Sequence, residues 1–170
     1  MGRYINKGND GFASVCNSKF VDKTMLIEEV NLVMDTENRF LCVTRARRFG
    51  KSVAVKMLNA YYDQSCDSKS LFNGLSISRC DDFLEHLNCH RVIYLDMTDF
   101  LTKYGGNDEL LVRHINHDIC EELLSLYGPV TMTGNDDLMD LLVKIVDQTG
   151  GVGRSERCPE SIGLSAHVCS

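Results

Sequence analysis

The chain has 170 residues, 44% of them hydrophobic and 25% charged, with a formal net charge of −6 at pH 7. That length supports one domain with a core of its own, not two ordinary ones, and the balance reads as a soluble globular chain. The acidic excess argues against a general nucleic-acid coat, because the whole-molecule field repels phosphate, and with no apolar run of about 18 residues there is no membrane-spanning helix.

The first residues, MGRYINKGNDGF, are polar and lack the apolar core of a signal peptide, which places the chain in the cytoplasm. Eight cysteines are scattered without a C-x-x-C pair, so reduced thiols are expected, with Cys42 in the core. Residues 1–20 carry glycine and asparagine with little periodicity and read as an irregular lead. Thr24 caps a helix predicted to run to about Asp35, with Leu26, Val30 and Val33 on one face. The apolar run Phe40-Leu41-Cys42-Val43 within 39–44 has the pattern of a strand buried on both faces, as in a parallel sheet.

A helix is predicted from Lys51 to about Asp63, its stripe formed by Ala54, Met57, Leu58 and Tyr61. Asp81 to Asn88 reads as a short helix, and Arg91 to Met97 as the second strand. A helix opens at Asn107, with Val112, Ile115, Ile119, Leu123 and Leu126 inward, and Gly128-Pro129 stops it. The last helix spans 135–149, with Leu138, Leu141, Leu142 and Ile145 inward. Strands alternating with helices indicate an α/β fold with a parallel sheet flanked by helices. The tail from Gly151 has few large apolar residues and no period, and reads as an unstructured end. It offers no third strand, although an α/β domain needs one.

The chemistry concentrates in TRARRFGKS, residues 44–52. A strand, a curled loop and a helix start direct backbone N–H groups at one point and favour an anion there. Gly50 allows close backbone approach, Lys51 supplies charge to the outer phosphates, and the Ser52 hydroxyl suits Mg²⁺. The strict Walker A pattern G-x-x-x-x-G-K-[ST] has glycine where this chain has Arg45. On the residues alone three readings stand: a nucleotide cradle, a basic turn with a chance Gly-Lys-Ser, and a basic patch in which Arg45, Arg47 and Arg48 contact nucleic-acid phosphates.

Further residues carry open alternatives. Asp22 and Lys23 either fix the lead helix or line the nucleotide pocket. Asp96 ends the second strand, where α/β folds place functional groups, and either faces the phosphates or serves as a structural cap. His114, His117, Asp118 and Glu121 share a helix face whose spacing fits a metal and fits a solvated surface.

Residues 4–100 resemble the bacterial AAA-ATPase-like family, in which a P-loop domain often precedes a PD-(D/E)XK nuclease-like domain. The resemblance rests on Gly8, Asn9, Gly11 and Phe12, on Phe20-Val21-Asp22-Lys23-Thr24 followed by Leu26-Ile27, and on Arg45, Arg47, Arg48, Phe49, Gly50, Lys51 and Ser52. Ala46 replaces the family's proline, while Arg45 matches the family's own version of the loop. Leu71-Phe72 and the run VIYLD ending in Asp96 also match.

The resemblance implies an ATP site built from Arg45, Arg47, Arg48, Phe49, Gly50, Lys51 and Ser52, with Mg²⁺ on Ser52. It also implies a second motif near residue 152, an apolar strand ending in catalytic acids. The sequence there is GVGRSERCPES. The expectation is therefore a partial P-loop NTPase fold, incomplete at its C-terminal end. Residues 1–38 form the lead, 39–150 the N-terminal part of an ATPase domain, and 151–170 a disordered or aberrant tail from truncation. ATP binding without hydrolysis is the expected activity; the alternative is a non-enzymatic interaction module whose basic loop contacts nucleic acid or a partner protein. No nuclease-like stretch is present, so that activity does not carry over.

Overall fold

A computed structural model describes residues 2–34, 36–44, 46, 49–105, 108–129, 138–149 and 165–168. In chain order the elements are α1 (Asp10–Cys16), α2 (Met25–Asn31), α3 (Lys51–Tyr62), α4 (Lys69–Phe72), a 3₁₀ turn (Ser76–Arg79), β1 (Ile93–Asp96), α5 (Met97–Tyr104), α6 (Asp108–Tyr127), α7 (Leu138–Thr149) and β2 (Ser165–Val168).

β1 is flanked on both sides. β2 runs parallel to it, pairing Ile93 with Ser165 and Asp96 with Val168. On the other side the N-terminal residues run antiparallel: Tyr94 N donates to Tyr4 O (2.7 Å), and Asn6 N donates to Val92 O (2.8 Å). β1 therefore has a neighbour on each side, and residues 165–168, within the tail read as an unstructured end, are extended and paired.

Residues 39–44 do not form a strand. They are exposed throughout, with Phe40 at 86%. A continuous apolar run signals burial on both faces but does not say against what. With both sides of β1 taken by residues 4–6 and β2, no edge of that strand is left for it. Cys42, expected in the core, is exposed as well. Phe40→Asp should change unfolding free energy by no more than about 0.5 kcal/mol, as is usual for surface positions. By light scattering it should reduce self-association at high concentration, since exposed apolar segments of this kind associate.

Two apolar clusters hold the elements. The first gathers Phe12 of α1, Ile27 and Val30 of α2, and Met57, Ala60, Tyr61 and Tyr62 of α3 around Phe72, Ile77 and Phe83. The second joins Tyr4, Ile5, Leu95 and Phe100 to Leu111, Ile119 and Leu123 of α6 and Leu141 and Ile145 of α7. α6 turns Leu111 inward and leaves Val112 and Leu126 exposed. The i, i+4 ladder from Leu111 through Ile115 and Ile119 to Leu123 defines its buried row, one residue away from the predicted start.

The short helix expected at 81–88 is a run of turns instead. Its Phe83 carbonyl accepts from the Tyr61 hydroxyl (2.7 Å), a tertiary bond made outside any regular helix. Among the described residues Cys16, Cys42, Cys66, Cys80 and Cys120 are free thiols. Among the described residues no helix is long and apolar enough to cross a membrane.

Candidate functional site at the start of helix α3

α3 begins on a glycine because the chain must turn there. Gly50 has φ +84° and ψ 23°, a left-handed conformation that a side-chain-bearing residue adopts only at a cost. Its carbonyl accepts from Ala54 N (2.9 Å), closing the first helical turn. No side chain caps this end and no acidic residue sits in the first turn, so the positive end of the helix dipole lacks local neutralisation by a carboxylate. Lys51 opens the helix half-buried, Ser52 is exposed beside it, and Phe49 is 63% exposed on the approach.

Lys23 also reaches this corner. Its Nζ donates to the Phe49 carbonyl at 3.1 Å, 26 positions along the chain. It lies 3.7 Å from where a Cβ on Gly50 would stand. The structure thus brings Lys23, Phe49, Gly50, Lys51 and Ser52 into one place. Arg45, Arg47 and Arg48 lie outside the described residues.

Asp22 is directed elsewhere. Its Oδ1 accepts from Thr24 N (2.9 Å) and the Thr24 hydroxyl (2.7 Å), and its Oδ2 from Ser76 N (2.7 Å) and the Ser76 hydroxyl (2.8 Å). Burial pushes the carboxyl pKa upward, but these four bonds outweigh it and bring it down to about 2. Thr24 Oγ1 in turn accepts from Ile77 N (3.1 Å). Asp22 therefore fixes the start of α2 to the 3₁₀ turn. No sequence pattern marks this partnership, since Ser76 lies 54 positions away and carries no motif.

Asp96 caps α5, its carboxylate accepting from Thr98 N (2.9 Å). It also lines a small hollow at the end of β1 with Arg3, Lys7 and Lys103. On the histidine-bearing face of α6, His117 and Glu121 are exposed, while Asp118 and His114 are engaged by protein contacts. Asp118 accepts from the Tyr4 hydroxyl (3.0 Å), Lys103 Nζ (2.9 Å) and the Tyr104 hydroxyl (2.8 Å), and the His114 ring stacks on Tyr104 at 4.1 Å. Among the described residues no group of three or more His, Cys, Asp or Glu side chains could hold a metal.

The residues at the α3 start fit a magnesium nucleotide in part. The uncapped helix end and the exposed Ser52 hydroxyl suit phosphate and one Mg²⁺ ligand. Asp22 and Asp96, the carboxylates singled out in sequence for the nucleotide pocket, are engaged by other protein partners.

The model of a family described as predicted AAA-ATPase matches residues 11–151, well over half of the chain and spanning α1 through α7. No curated protein matches the chain, and no solved structure matches it. With the Gly50-Lys51-Ser52 corner inside the matched region, the chain belongs to the predicted AAA-ATPase family.

Proposed function

We propose that this chain is an ATP-binding P-loop protein that holds Mg²⁺–ATP at the start of α3 and does not hydrolyse it. The observation that supports this most is the left-handed Gly50, which opens an uncapped helix directly onto Lys51 and Ser52 in a chain of this family. The helix-start amides would receive phosphate oxygens, Lys51 would neutralise the outer phosphates, and Ser52 would hold the ion. Arg45, Arg47 and Arg48 would add charge around the phosphates. Mg²⁺, held by Ser52, would supply screening of the phosphate charge. Hydrolysis also needs a group that orients water and acids that hold the metal in place. Residues 151–170 hold no adjacent pair of acids, and no carboxylate takes that role in this reading.

Calorimetric titration with Mg²⁺–ATP should show saturable binding. Lys51→Ala should weaken it about 100-fold or more, the usual loss when one partner of a desolvated charge pair is removed. Phosphate release should stay at background for both proteins. Absence of Mg²⁺-dependent binding in the unmodified chain would overturn the reading.

A second reading is favoured by the exposure of Phe40, Leu41, Val43 and Phe49 around the basic stretch. In it the segment is a contact surface for a partner protein or nucleic acid. Salt-sensitive DNA binding with no ATP binding would support that reading instead.

A further inference from the structure

We infer that Lys23 is a positioning residue of the nucleotide loop: its ammonium holds the Phe49 carbonyl and so fixes the left-handed turn at Gly50 from which α3 starts. This role rests on the nucleotide-binding reading of the same corner and adds a residue that acts through the backbone, not by touching phosphate.

The base of the lysine is anchored. Asp22 and Thr24, its two chain neighbours, are both pinned to the 3₁₀ turn by side-chain hydrogen bonds. Thr24 is fully buried, and so is Ile77, whose N–H it receives. The main chain at position 23 is therefore held against the first apolar cluster. From that base the side chain reaches the carbonyl immediately before Gly50.

A free lysine side chain forfeits up to about 2 kcal/mol of rotamer entropy on being ordered. Anchoring the backbone on both sides does not remove that cost, but it confines the ammonium to the region of the loop. A hydrogen bond from a charged donor to a carbonyl then stabilises more than a neutral one. The carbonyl it holds belongs to the peptide that leads into the left-handed Gly50. Releasing it frees the rotation that aims the first amides of α3.

The location is otherwise unfavourable for a cation. Lys51 and the positive end of α3 lie beside it, and no acid occupies the first turn. A second lysine at this corner adds repulsion unless its bond to the loop, or an anion bound there, offsets it.

The test compares Lys23→Met, which keeps the stem and removes the donor, with Lys23→Arg, which keeps the cation. Hydrogen exchange in the nucleotide-free protein is monitored on peptides covering residues 49–58, with the Ala54 amide on the Gly50 carbonyl as reporter. We expect exchange about tenfold faster in Lys23→Met, largely restored in Lys23→Arg, with α6 peptides unchanged.

The methionine variant should also bind Mg²⁺–ADP and Mg²⁺–ATP more weakly by the same factor. A lysine that touches the terminal phosphate would instead weaken ATP alone. Unchanged exchange at 49–58, or a loss confined to ATP, overturns the inference. The exchange measurement needs no nucleotide, so it decides the role of Lys23 even if ATP binding fails. If Lys23→Met does not fold, Lys23→Leu is read in the same way.

Discussion

Phe12→Ala should lower the free energy of unfolding by about 3 to 5 kcal/mol, the usual cost of deleting a buried phenyl ring. The side chain is 0% exposed and stacks on Phe72 at 5.1 Å, with Phe20 meeting it edge-on at 5.5 Å. It is the fully buried side chain of α1, a helix too short to persist without tertiary packing. Small domains have about 5 to 15 kcal/mol in total, so the loss is a large part of the whole. Urea unfolding monitored by circular dichroism measures it, and a change under about 1 kcal/mol would show that α1 is dispensable. Phe12→Leu should cost much less, because most of the volume is retained.

The same experiment bears on the purpose of the lead motif. The Gly8 carbonyl accepts from Asn59 Nδ2 of α3 (2.6 Å), and the Gly8 amide donates to the Asp63 carboxylate just after α3. Asn9 Nδ2 donates to the Asp67 carbonyl (3.0 Å) and the Ser68 hydroxyl (2.9 Å). Gly8, Asn9 and Phe12 therefore grip the C-terminal half of α3 and the turn beyond it, while the candidate phosphate corner is at the other end. Their contribution to nucleotide binding would be to hold the helix that carries Lys51 and Ser52.

Local patterns in the sequence identify α3 and much of its apolar face. They also identify the glycine stop of α6, where Gly128 takes φ +85°, and the place where α2 begins, after Thr24, although the Thr24 hydroxyl makes no capping bond and instead joins Asp22 to the Ile77 amide. Each depends on residues within a few positions of one another. α1 and α5 are not legible because each is only 7 or 8 residues long and is held by distant partners. In α5 the partner is Tyr4, whose ring stacks on Phe100 at 5.1 Å.

The stretch 39–44 misleads for a related reason. Its composition reports a preference for burial, and only the rest of the sheet decides whether a partner exists. At the candidate site, Gly50, Lys51 and Ser52 are legible as a motif. The division of labour between Asp22 and Lys23 is not, because it depends on Ser76 and Phe49, 54 and 26 positions away.

The Asp118 carboxylate ties three elements together, and Asp118→Ala should cost about 3 kcal/mol. It is 13% exposed on its side chain and accepts from Tyr4, Lys103 and Tyr104. Removing it strands two phenol hydroxyls that are partly buried, and each loses a charge-assisted bond. Lys103 is 41% exposed, so the ion pair itself contributes little. Nearby, Glu122 accepts from the Tyr4 and Ile5 amides and fastens the same N-terminal segment along β1.

Acid should expose the Asp118 contribution. Burial pushes its pKa upward, but the bonds from Lys103, Tyr104 and Tyr4 outweigh that and lower it from 3.8 to about 2. A carboxyl lowered in this way stabilises the fold fully above about pH 4. The contribution disappears as pH falls toward about 2, because the unfolded chain takes up the proton first. The shift corresponds to about 2 kcal/mol across that window. Urea midpoints measured between about pH 5 and pH 2 should fall steeply for the unmodified chain and less steeply for Asp118→Asn. The slope that survives in the variant belongs in part to Asp22, whose carboxyl is also lowered to about 2. Parallel slopes for the two proteins would mean that Asp118 carries no differential charge between the folded and unfolded states, and that Tyr4 is held to α6 by Glu122 and by packing.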